Sequence, residues 1–247
     1  TRDVNISPNI LTTDLEAIAT DPDVDIIIEL IGGLEPARSL ILKAIEHGKH
    51  IVTANKAVIS RYGQEIFDAA NKKSVYVMLE ASVGGGIPVI QPLKESLGVN
   101  RIHSITGIVN GTTNYILTRM EKEGADFADV LADAQRLGYA EADPTADVEG
   151  LDAKDKIAIL GSLAFGSIIK LEDIYCEGIS QITAADITYA AQLDFVIKLL
   201  AIAKGYPNST NSTSDKLQLR VHPTLIPKTH PLARINEVDN AIFIEGE

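Results

Sequence analysis

The chain has 247 residues, 45% of them hydrophobic, and a formal net charge of −12. That length holds one large domain or two modest ones, and the acidic balance argues against nucleic acid or an anionic membrane surface as the partner. The lone Cys176 excludes a disulfide framework and fits a reducing, cytoplasmic compartment, and no apolar run is long enough to span a bilayer.

Residues 14–20 read as a short helix. Residues 24–31 are apolar apart from Asp25 and Glu29, which suits a strand buried on both faces of a parallel sheet. Gly32-Gly33 stops it. Residues 34–47 have helical spacing (Leu40, Ile41, Ala44, Ile45), with Gly48 as a C-cap. A strand follows at 50–53, a helix at 57–70 interrupted at Gly63, and a strand at 74–79. Alternating strands and helices with short connections predict a parallel α/β layout with right-handed crossovers.

The pattern changes after Glu80. Three glycines, Gly84 to Gly86, precede a helix at 89–97 and a strand at 101–109. Helices are expected at 112–123, 126–137, 151–165 and 184–193, and strands at 196–203, 217–221 and 241–244. The polar run Asn208-Ser-Thr-Asn-Ser-Thr-Ser214 reads as a hairpin loop or small insertion. No internal repeat is visible. The expected fold is α/β: half of a doubly wound, Rossmann-like parallel sheet over residues 1–79, then an α+β domain with a mixed sheet over 80–247.

Residues 138–156 carry most of the candidate chemistry. Glu141, Asp143, Asp147, Glu149, Asp152 and Asp155 crowd against Lys154 and Lys156. The segment reads as a long polar loop running into a helix. Asp152 and Lys156 are spaced to share one face of that helix. A carboxylate and an ammonium at a helix mouth suit a small zwitterionic substrate; a solvated surface pair is the plain alternative. Open parallel sheets bind ligands at the carboxyl ends of their strands, where Gly32, Gly33 and Lys56 fall. The loop Glu80-Ala-Ser-Val-Gly-Gly-Gly-Ile-Pro88 can expose carbonyls to a hard cation or wrap a cofactor. It lacks the Gly-Lys-Ser/Thr ending of a nucleotide phosphate loop. Asp143, Asp147 and Glu149 lack the pattern of a calcium loop. Asn110-Gly-Thr-Thr-Asn114 reads as a strand-to-helix turn with a Thr cap. His222 and His230 flank prolines and read as structural or surface residues, and Cys176 as a core or sheet residue. The Asn-x-Ser/Thr triplets at Asn5, Asn110, Asn208 and Asn211 read as incidental.

Five segments, in order and suitably spaced, resemble homoserine dehydrogenase: Thr53-Ala54-Asn55-Lys56, the glycine loop 80–88, Gly107-Ile-Val-Asn-Gly-Thr-Thr-Asn-Tyr-Ile-Leu117, Leu137-Gly-Tyr-Ala-Glu-Ala-Asp-Pro144 and Gly150-Leu-Asp-Ala-Lys-Asp-Lys-Ile157. His222-Pro-Thr-Leu-Ile-Pro227 resembles a later segment of that family. The resemblance implies an NAD- or NADP-dependent oxidoreductase that interconverts L-homoserine and L-aspartate 4-semialdehyde, on the way to threonine and methionine. It implies Lys156 as proton donor and acceptor, Asp152 and Glu141 as substrate carboxylates, and Lys56 as a lysine near both cofactor and substrate. It implies Gly138 at the cofactor and a monovalent-cation site, sodium, at Glu80, Val83, Gly85 and Ile87. A homodimer or higher homo-oligomer through the second domain's sheet is implied too.

The residue chemistry agrees. Aldehyde reduction needs a hydride and a proton for the developing alkoxide, and an ammonium beside that oxygen stabilises the charge and gives the proton. An ordinary lysine is a good acid and a poor base at neutral pH, so oxidation should favour alkaline pH. Asp152, one turn away, would bind the substrate ammonium or orient Lys156. The family's first strand with its Gly-x-Gly-x-x-Gly turn has no match here, and neither does its closing segment. The resemblance therefore implies a piece of a longer protein, poorly active alone and with exposed sheet edges prone to association. Another dehydrogenase of the same two-domain plan and an inactive dimerisation or ligand-binding module are the competing readings.

Overall fold

The computed structural model describes residues 6–206 and 216–247. The polar run 208–214 lies outside the described residues, as do Asn5, Asn208 and Asn211. The chain divides into two compact units, Thr1–Leu79 and Glu80–Glu247.

The first unit alternates helix and strand: α1 (Leu15–Thr20), β1 (Ile26–Glu29), α2 (Ala37–Glu46), β2 (His50–Thr53), α3 (Lys56–Lys73) and β3 (Val77–Met78). The strands form one parallel sheet in the order β1-β2-β3. β-Branched Ile26, Ile27 and Ile28 favour extended backbone. In α2, Ala37, Ile41, Ala44 and Ile45 share a buried stripe that packs on β1 and β2. Asp14 caps α1 by accepting the amide of Ala17. Ser74 closes α3 in a left-handed conformation, φ 56°.

Two expectations fail here. β1 is not buried on both faces: the row Ile51, Thr53 and Val77 is buried, while Ile28, 65% exposed, and Met78 belong to the opposite row, uncovered among the described residues. β1 carries apolar residues on both parities, but only one of its rows has anything packed over it among the described residues. Nor does Gly63 interrupt α3, which runs unbroken. Gly63 is buried there, and a side chain at that point would meet Phe67 and Ile59.

The second unit begins with a short 3₁₀ turn (Glu80–Ser82) and a wide helical segment, Pro92–Ser96. This replaces the α-helix expected over 89–97. Its turn closes by the amide of Leu97 donating to the carbonyl of Pro92, a five-residue step around a proline that has no N–H to give. Then come β4 (Ile102–Ile108), α4 (Gly111–Glu123), α5 (Phe127–Arg136), α6 (Thr145–Val148), α7 (Leu151–Phe165), β5 (Tyr175–Cys176), α8 (Ala184–Gln192), β6 (Phe195–Tyr206), β7 (Lys216–Pro227) and β8 (Ala241–Gly246). The mixed sheet has the order β5-β7-β6-β4-β8, antiparallel throughout except β5 with β7. α6 lies inside what the sequence presents as a continuous loop, and β6 and β7 run well beyond the expected spans because they pair from Phe195 with Pro227 to Tyr206 with Lys216.

α7 positions the chemistry. Ile157, Ala158, Ile159, Leu160 and Gly161 are all buried, and the helix packs on β4, β6 and β7. At Gly161 a Cβ would stand 2.8 Å from both Leu219 Cδ2 and Ile169 Cδ1, so a larger residue would require those side chains or the helix to shift. On the other side of β6, Val196, Leu200 and Ile202 pack with Ile108, Ile226 and Leu232.

Candidate active site

In the first unit the carboxyl ends of β1 and β2 converge on Glu29, which is 3% exposed. Its Oε2 accepts the Thr53 hydroxyl at 2.6 Å, and its Oε1 accepts the amides of Ile31 at 2.8 Å and Gly32 at 3.4 Å. Asn55 adds its side-chain amide, 3.4 Å from Glu29 Oε1 and 2.8 Å from the carbonyl of Gly33. The same Asn55 caps α3 by accepting the amide of Val58, which makes Lys56 the first residue of that helix. Gly32 and Gly33 turn through φ 78° and 69°, and a side chain at either would meet nothing within 4 Å. A glycine turn with open space at a strand end fits the close backbone approach that a dinucleotide requires. The sequence pointed to Gly32, Gly33 and Lys56 but not to Glu29, which holds the Gly32 amide, nor to Asn55, which bridges Glu29 and the Gly33 carbonyl.

In the second unit the network centres on Asp152 and Lys156, whose side chains are only 8% and 15% exposed. The Lys156 ammonium donates to Asp152 Oδ2 at 2.6 Å and to the carbonyl of Val109 at 2.6 Å. This is a partly buried pair, not the solvated surface pair that spacing alone allows. Two of the three ammonium N–H groups are used this way among the described residues, leaving one over. The Asn110 amide nitrogen donates to Asp152 Oδ2 at 2.9 Å and to Asp147 Oδ1 at 2.7 Å. Asn110 is itself the cap of α4, accepting the amide of Thr113. The cap is therefore asparagine and not the threonine expected, because Asn110 holds the extended conformation in front of the helix.

Glu141 lies exposed on the loop, with its carbonyl accepting Gln135 Nε2 at 3.1 Å, and stands outside the hydrogen-bonded network of Lys156, Asp152, Asn110 and Asp147. Asp143 folds back on Thr145, whose hydrogen bonds hold its carboxyl below the usual range. Gly138 follows α5 at φ 79° in open space, and Thr112 anchors the next residue by donating to the carbonyl of Tyr139 at 2.7 Å.

The glycine loop has a clasp that sequence reasoning missed. Glu80 accepts the amides of Val89 and Ile90 at Oε1 and of Gln91 at Oε2, at 2.6, 2.8 and 2.9 Å. Its carboxylate is thereby turned to the head of the next helical segment, so any cation held by Glu80, Val83, Gly85 and Ile87 would be held through main-chain carbonyls. That donor set suits a hard, weakly charged cation. Burial pushes the Cys176 thiol up, and it donates to the carbonyl of Glu149. His230 accepts the amide of Leu232, and His222 sits by Pro223 and Thr224. An open hollow lined by Asp173, Tyr175, Glu177, Arg220 and His222 runs along β5 and β7 and shares no residue with the Asp152 cluster.

Two family models match the chain. One described as "Homoserine dehydrogenase, NAD binding domain" covers residues 2–80, and one described as "Homoserine dehydrogenase" covers residues 88–247. The homoserine dehydrogenase of Synechocystis sp. is 67% identical over 246 residues, 100% of this chain and 56% of the relative. A crystal structure of a homoserine dehydrogenase from Thiobacillus denitrificans superposes with a TM-score of 0.91 at 51% identity, over 96% of this chain and 53% of that one. A hyperthermophilic archaeal homoserine dehydrogenase in complex with NADPH gives a TM-score of 0.80 at 26% identity, over 96% of this chain and 66% of that one. The chain thus spans about half the length of the curated relatives it matches.

Proposed function

This chain belongs to the homoserine dehydrogenase family, and on that premise we propose that it carries the substrate and proton-handling machinery for interconverting L-homoserine and L-aspartate 4-semialdehyde. The observation that carries the reading is the half-buried Lys156, held by Asp152 and the carbonyl of Val109 with one N–H left over. In the reducing direction Lys156 donates its proton to the alkoxide that develops from the aldehyde oxygen. In the oxidising direction its deprotonated, amine form takes the hydroxyl proton of homoserine. Asp152 keeps the ammonium in place and balances its charge. Glu141, exposed on the neighbouring loop, and Asp152 are the carboxylates offered to the substrate ammonium.

NAD or NADP, when bound, supplies or accepts the hydride. Gly32, Gly33, Lys56 and Gly138 are the residues we assign to holding it, the glycines because their backbone is open to close approach. Residues 1–79 then serve as part of the nucleotide-binding domain, and 80–247 as the catalytic and dimerisation domain. We assign the carbonyls of Glu80, Val83, Gly85 and Ile87 to a sodium ion. The setting we infer is a cytoplasmic homodimer or higher homo-oligomer serving threonine and methionine synthesis. Among the described residues no helix is long and apolar enough to cross a membrane.

The test is NAD(P)H formation from L-homoserine at alkaline pH, in the complete protein and in its Lys156→Ala variant. Activity in the parent that falls about a hundredfold or more in the variant supports both substrate and lysine. Activity surviving in the variant moves the proton transfer to Lys56 or to water. A folded, cofactor-binding parent that ignores homoserine sinks the assignment in favour of another dehydrogenase or a binding module.

A further inference from the structure

We propose that Asn110 is a positioning residue for this reaction: its single side-chain amide holds Asp147 and Asp152 together and thereby sets the charge and place of Lys156. The inference rests on the functional reading above.

Asn110 is 6% exposed, and both ends of its side chain are committed. Oδ1 accepts the Thr113 amide at 2.9 Å and the Thr113 hydroxyl at 3.0 Å, while Nδ2 donates to Asp147 at 2.7 Å and Asp152 at 2.9 Å. The orientation is forced. A main-chain N–H can only donate, so the oxygen faces the helix and the two N–H groups face the two carboxylates. Asp152 Oδ2 is shared by the amide and by the ammonium of Lys156. The residue before Asn110 supplies the other contact to that ammonium, through the Val109 carbonyl. Consecutive residues at the end of β4 therefore grip both halves of the ion pair, one by main chain and one by side chain.

The chemical type matters as much as the place. Two carboxylates on one nitrogen repel unless something with positive partial charge lies between them. The amide does this without bringing a proton of its own to exchange, so Lys156 remains the proton carrier. Aspartate at this position would keep the helix-capping oxygen but exchange two donors for a third anion. Serine would keep a capping oxygen and one donor, on a shorter reach.

The experiment compares the complete parent protein with Asn110→Asp and Asn110→Ser. For Asn110→Asp we expect kcat/KM for homoserine to fall about tenfold or more, with KM for the dinucleotide little changed. The basic limb of the oxidation profile should move to higher pH, because the added anion favours the ammonium that must lose its proton. Asn110→Ser adds no charge, so it should lower kcat/KM without moving the limb. A parent-like pH profile and kcat/KM in Asn110→Asp overturn the proposal. So do equal losses in both variants with unshifted profiles, since capping alone would give that. Should Asn110→Asp fail to fold, Asn110→Ser decides: a drop in kcat/KM at unchanged melting temperature supports positioning, and parent-like kinetics overturn it. If the parent itself leaves homoserine untouched, the functional reading fails separately. Carbon NMR titration of the Lys156 side chain then reads the same shift directly: an upward move in Asn110→Asp supports the positioning role, and no move overturns it.

Discussion

Each unit buries a carboxylate where a strand hands over to a helix, and the two are satisfied in opposite ways. Glu29 is surrounded by neutral donors, namely the Thr53 hydroxyl, the amides of Ile31 and Gly32 and the side chain of Asn55. Asp152 shares one oxygen between a neutral amide and a lysine ammonium. None of the donors on Glu29 ionises near neutral pH, so that carboxylate is suited to fixing a loop. The Asp152 cluster contains a group that can give a proton away, so it is suited to chemistry. A third buried charge extends the contrast. Lys198, 1% exposed, gives its three N–H groups to Asn114 Oδ1, the Ile235 carbonyl and Asn236 Oδ1, all uncharged acceptors. It is the cationic counterpart of Glu29.

The contrast is open to test, and the largest effect belongs to the charged pair. Asp152→Asn should cost about a hundredfold in homoserine turnover per folded molecule and also destabilise, because it leaves a half-buried lysine without its anion. Next comes Lys198. Burial is the main cause that pushes its ammonium down to about 8, from an ordinary value of 10.5; Glu121 and Glu237 pull the other way and Lys122 adds to the lowering. Because the folded value is the lower one, the unfolded chain binds the extra proton between about pH 8 and 10.5. Stability should therefore rise with pH across that window, by up to about 3 kcal/mol. Urea unfolding at several pH values should show the slope in the parent and its loss in Lys198→Met. Glu29→Gln should lower unfolding free energy by about 1–3 kcal/mol while turnover per folded molecule stays near that of the parent. A loss of turnover as large as that of Asp152→Asn would break the distinction between loop-fixing and proton-handling carboxylates. Asn55→Ala should cost about 1 kcal/mol, the usual size of a lost helix cap, measurable as a lower melting temperature.

Much of the architecture is legible in the sequence, and the failures share a cause. The stripe of Ala37, Ile41, Ala44 and Ile45 and the sharp apolar start of α7 announce their helices because local periodicity sets them. Asp152 and Lys156 are readable for the same reason, since their contact spans one turn. Glu29 with Asn55, and Asn110 with Asp152, meet across 26 and 42 residues, and no local pattern encodes such meetings. Both asparagines stand in front of helices, so capping was the available signal and bridging was not. The two-residue β5 is a strand only because β7 lies beside it, and the open row of β1 depends on what packs over it, not on its own residues.

α7 has one more implication, for anyone who would alter this protein. Gly161, whose missing side chain leaves room for Leu219 and Ile169, and Lys156, to which we assign the proton transfer, lie on the same helix about 7.5 Å apart along its axis. A side chain there would have to displace the tips of Leu219 and Ile169, and whatever movement they do not absorb passes to the helix, which does not yield at one end only. The helix acts as a gauge, transferring the depth of the core contact to the height of the lysine. Attempts to tighten this core should begin on other elements, since a shift of the helix at Gly161 would also move Lys156.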